Sequence, residues 1–245
     1  MRRYWLTILL SLLPLLVFGQ DVPSAPSDPD PVAGLEEKVK PESPISKRIF
    51  FVVDVSASME SEKRISKSLN FVMSVCQQPL DEYEIAVVVF NSDATRWAGV
   101  ECESTDLKPC PKGWAKMPSE TARKAAQKFL DGFPGKGTTN PVGALEIALR
   151  EKRDALTVIL ITDGEFDSNP AAVKTIDQEQ KARKDAGLDF AILPIYGVGS
   201  HAGEQQHLID LAKKYRGGLW VEKKSLKLSE TPKSPPFFRF TRPFK

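Results

Sequence analysis

Short, continuous apolar runs alternate along this chain with longer segments whose apolar residues recur every three or four positions. Arg48–Val53 sets the pattern, because Ile49-Phe50-Phe51-Val52-Val53 has no polar residue to face water. Such a run predicts a strand covered on both sides. Glu84–Phe90, Leu156–Ile161 and Phe190–Val198 repeat it, while Thr95–Val100 and Leu219–Val221 read as shorter strands. Thr95–Val100 can pair back on Glu84–Phe90 after the Asn91-Ser92-Asp93 turn. Between the strands lie helical segments. Ile65, Leu69, Val72 and Cys76, spaced 4, 3 and 4, form one apolar stripe on a helix over Glu62–Gln77. Ser119 caps a helix through Leu130, with Glu120 in the first turn, where the macrodipole favours an acid. Further helices are predicted over Val142–Arg150, Ala171–Ala186 and His201–Tyr215. Buried strands separated by amphipathic helices predict an α/β fold, with a mainly parallel sheet covered on both faces.

The pattern breaks at both ends. Met1-Arg2-Arg3 precedes an apolar stretch from Trp5 to Phe18, interrupted by Pro14, and then Gly19-Gln20. A basic start, a short apolar core and a cleavage-like site predict an export signal over 1–19, with Gln20 the first mature residue. The apolar run is shorter than the ~20 residues a membrane span needs; an uncleaved anchor is the alternative. Residues 20–47 are rich in Pro, Ser and Asp and poor in large apolar side chains, the composition of a disordered linker. The domain is expected over 48–223, followed by a basic, aromatic tail over 224–245. There Phe237, Phe238, Phe240 and Phe244 interleave with Lys227, Lys233, Arg239, Arg242 and Lys245. A solvated tail is one reading, and contact with an anionic membrane surface the other.

Charge excludes one class of partner. Of 34 basic residues, Arg2 and Arg3 sit in the export segment, leaving 32 against 32 acidic. A near-neutral domain of ordinary composition offers no electrostatic case for nucleic acid. The three cysteines separate into two kinds. Cys102 and Cys110 flank a polar, Pro-containing loop that a disulfide would close, whereas Cys76 on the helical stripe reads as a buried thiol.

In parallel α/β sheets, ligands bind beyond the carboxyl ends of the strands, near the point where strand order reverses. Three such places carry oxygen donors. Asp54, Ser56 and Ser58 follow the first strand, Gly137-Thr138-Thr139 precedes the Val142 helix, and Thr162-Asp163-Gly164 ends the Leu156 strand. Carboxylates mixed with hydroxyls suit a hard cation such as Mg²⁺. Each piece alone also reads as a turn or helix cap.

Taken together, Asp54-x-Ser56-x-Ser58, Gly137-Thr138 and Thr162-Asp163-Gly164 resemble the metal-ion-dependent adhesion site of the von Willebrand factor A family, in order and in spacing. The resemblance spans about residues 46–223. It implies a Rossmann-like domain with a six-stranded central sheet, parallel apart from one edge strand at Thr95–Val100. It further implies that Ser56, Ser58 and Thr138 put hydroxyls on or near a Mg²⁺ (or Mn²⁺) ion, with Asp54 and Asp163 acting directly or through water. Thr139 is the alternative to Thr138, and Glu165 a neighbour of the site. The implied function is non-enzymatic: an Asp or Glu of a protein partner completes the metal's coordination. The chain is then secreted or resident in the cell envelope.

Two other functions compete. One is an envelope assembly subunit with a purely stabilising metal; the other is a metal-dependent phosphotransferase with Asp54 as nucleophile. Against the second, no other Asp lies two residues beyond Asp54, and no general base stands out. Gly132–Thr139 lacks the order of a phosphate-binding loop, since Gly137 rather than Ser or Thr follows Lys136. Ser200-His201 lacks the nucleophile elbow of a serine hydrolase, and His201 and His207 read as surface helix positions.

Overall fold

The computed structural model describes residues 35–42, 45–77, 82–99, 113–199, 201–202 and 205–222. The expected export signal over 1–19, the Cys102–Cys110 loop and the 224–245 tail lie outside them. In chain order the strands are β1 (Leu35–Val39), β2 (Arg48–Asp54), β3 (Tyr83–Phe90), β4 (Ala94–Arg96), β5 (Ala115–Met117), β6 (Leu156–Thr162), β7 (Leu193–Gly197) and β8 (Arg216–Glu222). The helices are α1 (Arg64–Cys76), α2 (Glu120–Leu130), α3 (Val142–Leu149), α4 (Asn169–Asp185) and α5 (Gln206–Lys214). A 3₁₀ helix over Ala57–Lys63 leads into α1.

The strands form one sheet in the order β1-β8-β7-β6-β2-β3-β4, with β5 also paired to β3. β3, β2, β6, β7 and β8 are parallel to one another, and β1, β4 and β5 are antiparallel additions. All six expected strands are present. The sheet nevertheless has eight, and three of them are antiparallel where one was expected. β4 and β5 have three residues each, too few to carry a period. β1 reads Leu-Glu-Glu-Lys-Val, charged as suits an exposed edge. It occupies part of the expected linker, so that expectation fails for 35–39.

Alternation within the strands supplies two cores. Ile49, Phe51 and Val53 of β2 face α1 and α2, against Phe71, Val72, Ala122 and Ala126. Phe50 and Val52 face α3, α4 and α5, against Leu145, Ile176 and Leu208. This two-sided burial is why the strand runs contain no polar alternation. Cys76 is buried and free, as its place on the stripe predicts.

Element boundaries moved where local chemistry overrides period. α1 starts at Arg64 because the preceding residues wind as 3₁₀ helix, and Lys63 adopts φ 56° at the junction. α4 starts at Asn169, ahead of the expected Ala171, because Ser168 caps it and Pro170 fits the first turn, where no N–H is required. β8 begins at Arg216 despite Gly217 and Gly218, both poor strand formers. A Cβ on Gly217 would lie 1.9 Å from the Leu193 carbonyl, so only glycine lets β8 pack this close to β7.

Candidate metal-binding site

β2 and β6 are parallel neighbours, with Val53 registered opposite Ile161. The chain leaves β2 for β3 on one side and later returns with β6 on the other. The switch in strand order therefore falls between β2 and β6, and both carboxyl ends open at one edge. Asp54 ends β2 there, and Thr162 ends β6.

Asp54 is fully buried. Its Oδ1 accepts from the Ser56 N–H at 2.9 Å, and its Oδ2 accepts from Thr162 Oγ1 at 2.7 Å. Thr162 Oγ1 in turn accepts from the Gly164 N–H at 3.0 Å, which shapes the turn that presents Asp163. Burial pushes the Asp54 carboxyl up to about 6, although the Ser56 and Thr162 hydrogen bonds pull it down; Asp163 adds a smaller upward push. An ionised Asp54 is therefore costly until a positive charge joins it.

The serines do not act as caps. Ser56 precedes the 3₁₀ helix, yet its side chain makes no capping bond. Its hydroxyl instead lies 3.1 Å from that of Ser58. Two oxygens on one edge of an octahedron with Mg²⁺–O bonds of 2.0–2.1 Å stand about 3 Å apart, so the pair matches hard-cation geometry. Among the described residues no group of three or more His, Cys, Asp or Glu forms a metal site, so hydroxyls are needed to complete a donor set here. The residues fit a hard divalent ion.

Asp163 is also buried, at 2% exposure, with Oδ1 accepting from the Glu165 N–H at 3.2 Å. Its Oδ2 pairs with Arg64 Nη1 at 2.7 Å, and that same nitrogen donates to the Ser58 carbonyl at 3.3 Å. Sequence reading missed Arg64. The expected helix began at Glu62, so Arg64 read as an ordinary residue of a solvated first turn.

The Gly137 loop closes over the same edge. The Ala57 N–H donates to the Gly137 carbonyl at 3.1 Å, and the Lys136 N–H to the Val55 carbonyl at 3.1 Å. Gly137 has φ +79°, and a Cβ there would come within 2.6 Å of Ser92 Oγ. The two threonines differ. Thr138 is exposed, and its N–H and hydroxyl both bond Ser92 Oγ, at 3.1 and 3.3 Å. Thr139 is 5% exposed, and its carbonyl accepts from the Asp167 N–H at 3.0 Å, which ties it to the Asp163 loop. Glu165 is exposed at the rim. His201 is exposed, and His207 packs against Phe166 and against the Gly164 backbone.

The fold is a mainly parallel α/β sheet with hydroxyls and carboxylates gathered at its switch point. Residues 47–219 match the von Willebrand factor type A domain, and the chain belongs to that family. Domains of this family generally bind protein partners and are mostly non-catalytic. Among solved structures, the chain is similar to a von Willebrand factor type A protein from Catenulispora acidiphila, at 14% identity and a TM-score of 0.53. The match covers 78% of this chain and 46% of that one. It is also similar to the pilus adhesin SpaC from Lactobacillus rhamnosus GG in its open conformation, at 14% identity and TM-score 0.50, over 82% of this chain and 29% of the adhesin. Manganese-loaded TRAP protein of Plasmodium vivax matches at 16% identity and TM-score 0.42, over 77% and 80%. The chain thus spans less than half of the first of these proteins. No curated protein matches the sequence.

Proposed function

We propose that this chain is an exported interaction module that binds a divalent cation at the β2–β6 switch and, through it, an acidic side chain of a protein partner. The observation that carries the reading is the pair of Ser56 and Ser58 hydroxyls, 3.1 Å apart, beside the buried carboxylate of Asp54. Asp163 completes the set from β6. Mg²⁺ suits these oxygens, with Mn²⁺ a substitute. When bound, the ion supplies an open Lewis-acid position for a carboxylate.

The chain's own residues prepare that position. Thr162 and the Ser56 N–H hold Asp54 in place, and the turn into the 3₁₀ helix brings the buried Ser56 hydroxyl beside that of half-buried Ser58. Of the threonines, Thr139 shares the burial of Asp54 and Asp163, whereas the Thr138 hydroxyl is engaged by Ser92. Thr139 is therefore the better donor, and Thr138 the residue that latches the loop to Ser92. Asp54 is poorly placed as a nucleophile, because both oxygens already accept hydrogen bonds in the interior. The signal-like start supports a secreted or envelope location, and the basic, aromatic tail is suited to a membrane surface.

Calorimetry with Mg²⁺ on the wild-type chain and on Asp54→Ala tests the metal. Heat of binding is expected from the wild type and absent from the variant. Capture of a protein from extracellular or envelope extract, reversed by chelator, tests the partner. A wild type indifferent to Mg²⁺ defeats the reading. If Mg²⁺ raises the melting temperature but nothing elutes on chelation, the metal is structural.

A further inference from the structure

One cation is already built into this site. Arg64 opens α1, where a positive charge opposes the helix dipole, yet it is buried to 6% exposure. Its Nη1 reaches Asp163 Oδ2 at 2.7 Å and the Ser58 carbonyl at 3.3 Å, joining the β6 loop to the serine loop. The opposite wall is made to admit it. Gly199, at φ +90°, stands where a Cβ would fall 2.7 Å from Arg64 Nε and 3.2 Å from Cζ. One turn further along α1, Lys67 pairs with buried Glu222 at 2.7 Å, so that second basic residue is held away from Asp163.

We propose that Arg64 is a positioning residue that sets the cation affinity of this site: it occupies Asp163 while the metal is absent and opposes the metal when it arrives. This rests on the metal-binding reading above. The charge count gives the direction. Asp54 and Asp163 together carry two negative charges, and Arg64 reduces that to one. A divalent ion entering this set leaves a net positive centre, which holds the ion loosely by itself and more firmly once an acidic side chain approaches. Without Arg64 the two carboxylates neutralise the ion, so it binds tightly and attracts a partner carboxylate less.

Mg²⁺ titration calorimetry on the full chain, with Arg64→Met and Arg64→Lys, tests this. Arg64→Met is expected to bind Mg²⁺ about 10- to 100-fold more tightly, the scale on which groups around the ligands tune metal sites. Arg64→Lys keeps the charge and is expected to stay near wild type. In chelator, Arg64→Met is expected to melt below wild type, since Asp163 loses its partner, and to recover in saturating Mg²⁺. Unchanged or weaker Mg²⁺ binding by Arg64→Met overturns the proposal. So does a melting deficit equal in chelator and in Mg²⁺, which marks a merely structural residue. If Arg64→Met does not fold, Arg64→Lys decides alone: binding within a few-fold of wild type supports the charge argument, and a loss of binding overturns it. A wild type that ignores Mg²⁺ overturns the metal reading itself, and this proposal with it; a responsive wild type with an identical Arg64→Met overturns this proposal alone.

Discussion

Thr162 Oγ1 donates a 2.7 Å hydrogen bond to Asp54 Oδ2, joining the ends of two parallel strands whose residues lie 108 positions apart in sequence. The same oxygen accepts from the Gly164 N–H, so one hydroxyl fixes both the β2 carboxylate and the β6 turn. Thr162→Val removes that donor and acceptor at nearly constant volume. The variant is expected to lose about 1–3 kcal/mol in urea unfolding, the cost of leaving buried polar groups unmet. Its gain in melting temperature with Mg²⁺ is expected to shrink as well.

Asp54 predicts a pH dependence of stability. Burial lifts its folded pKa to about 6 from 3.8, so the folded chain holds this proton more tightly than the unfolded chain does. Its stabilising contribution is full below about pH 4, declines as pH rises to about 6, and is absent above that. In chelator, wild type should lose melting temperature across this window relative to Asp54→Asn, which has no such proton. Saturating Mg²⁺ should flatten the difference, because a cation favours the ionised carboxylate. Parallel curves for the two proteins in chelator would refute the assignment.

Thr138 and Thr139 separate by valine substitution. Thr139→Val is expected to weaken Mg²⁺ binding by about 10-fold or more, on the scale of lost site residues. Thr138→Val is expected to change it only a few-fold, since its hydroxyl serves Ser92. Calorimetry at matched pH reads both, and the reverse ranking would return the metal-donor role to Thr138.

Half-buried Lys67 pairs with buried Glu222 and anchors α1 to the end of β8. Glu222 also accepts from Tyr196 Oη at 2.9 Å and from the Gly199 N–H at 3.3 Å. Lys67→Met leaves that carboxylate in the interior without its counter-charge and is expected to cost about 3–5 kcal/mol. Adding Glu222→Gln should restore much of the loss in a double-mutant cycle. Additive losses would show that the two residues act separately.

Cys76 is expected to be inert while the chain is folded. Burial pushes its thiol up to about 12, although Arg123 pulls it down. Site-resolved mass spectrometry after iodoacetamide at about pH 8 should find Cys76 unmodified in buffer and modified in urea. Modification in buffer would place the thiol at the surface.

Much of the fold was legible because burial on both faces leaves a local mark. Apolar runs located β2, β3, β6, β7 and β8, and the Ser119 cap located the start of α2 to the residue. β1 left no such mark. Its Leu-Glu-Glu-Lys-Val string carries no apolar period, and its pairing with β8 comes from a partner nearly 190 residues away. β5, with three residues, is defined by tertiary pairing alone, whereas β4 was expected after the Asn91-Ser92-Asp93 turn but over the longer Thr95–Val100. In the site, motif order brought forward Asp54, Ser56, Ser58 and Asp163. Arg64 stayed hidden because its partner is 99 residues distant and its own neighbours in sequence suggest a solvated helix start.

The sequence by itself determined which segments become buried strands, which edge of the sheet carries the oxygen donors, and what kind of ion those donors suit. These follow from local period and side-chain chemistry, which need no partner to be read. Tertiary structure alone decided that Thr162 holds Asp54, that Arg64 already occupies Asp163, and that Thr139 is buried while Thr138 is latched to Ser92. Each of these depends on how β2, β6, α1 and the Gly137 loop pack together, and no periodicity along one chain encodes it.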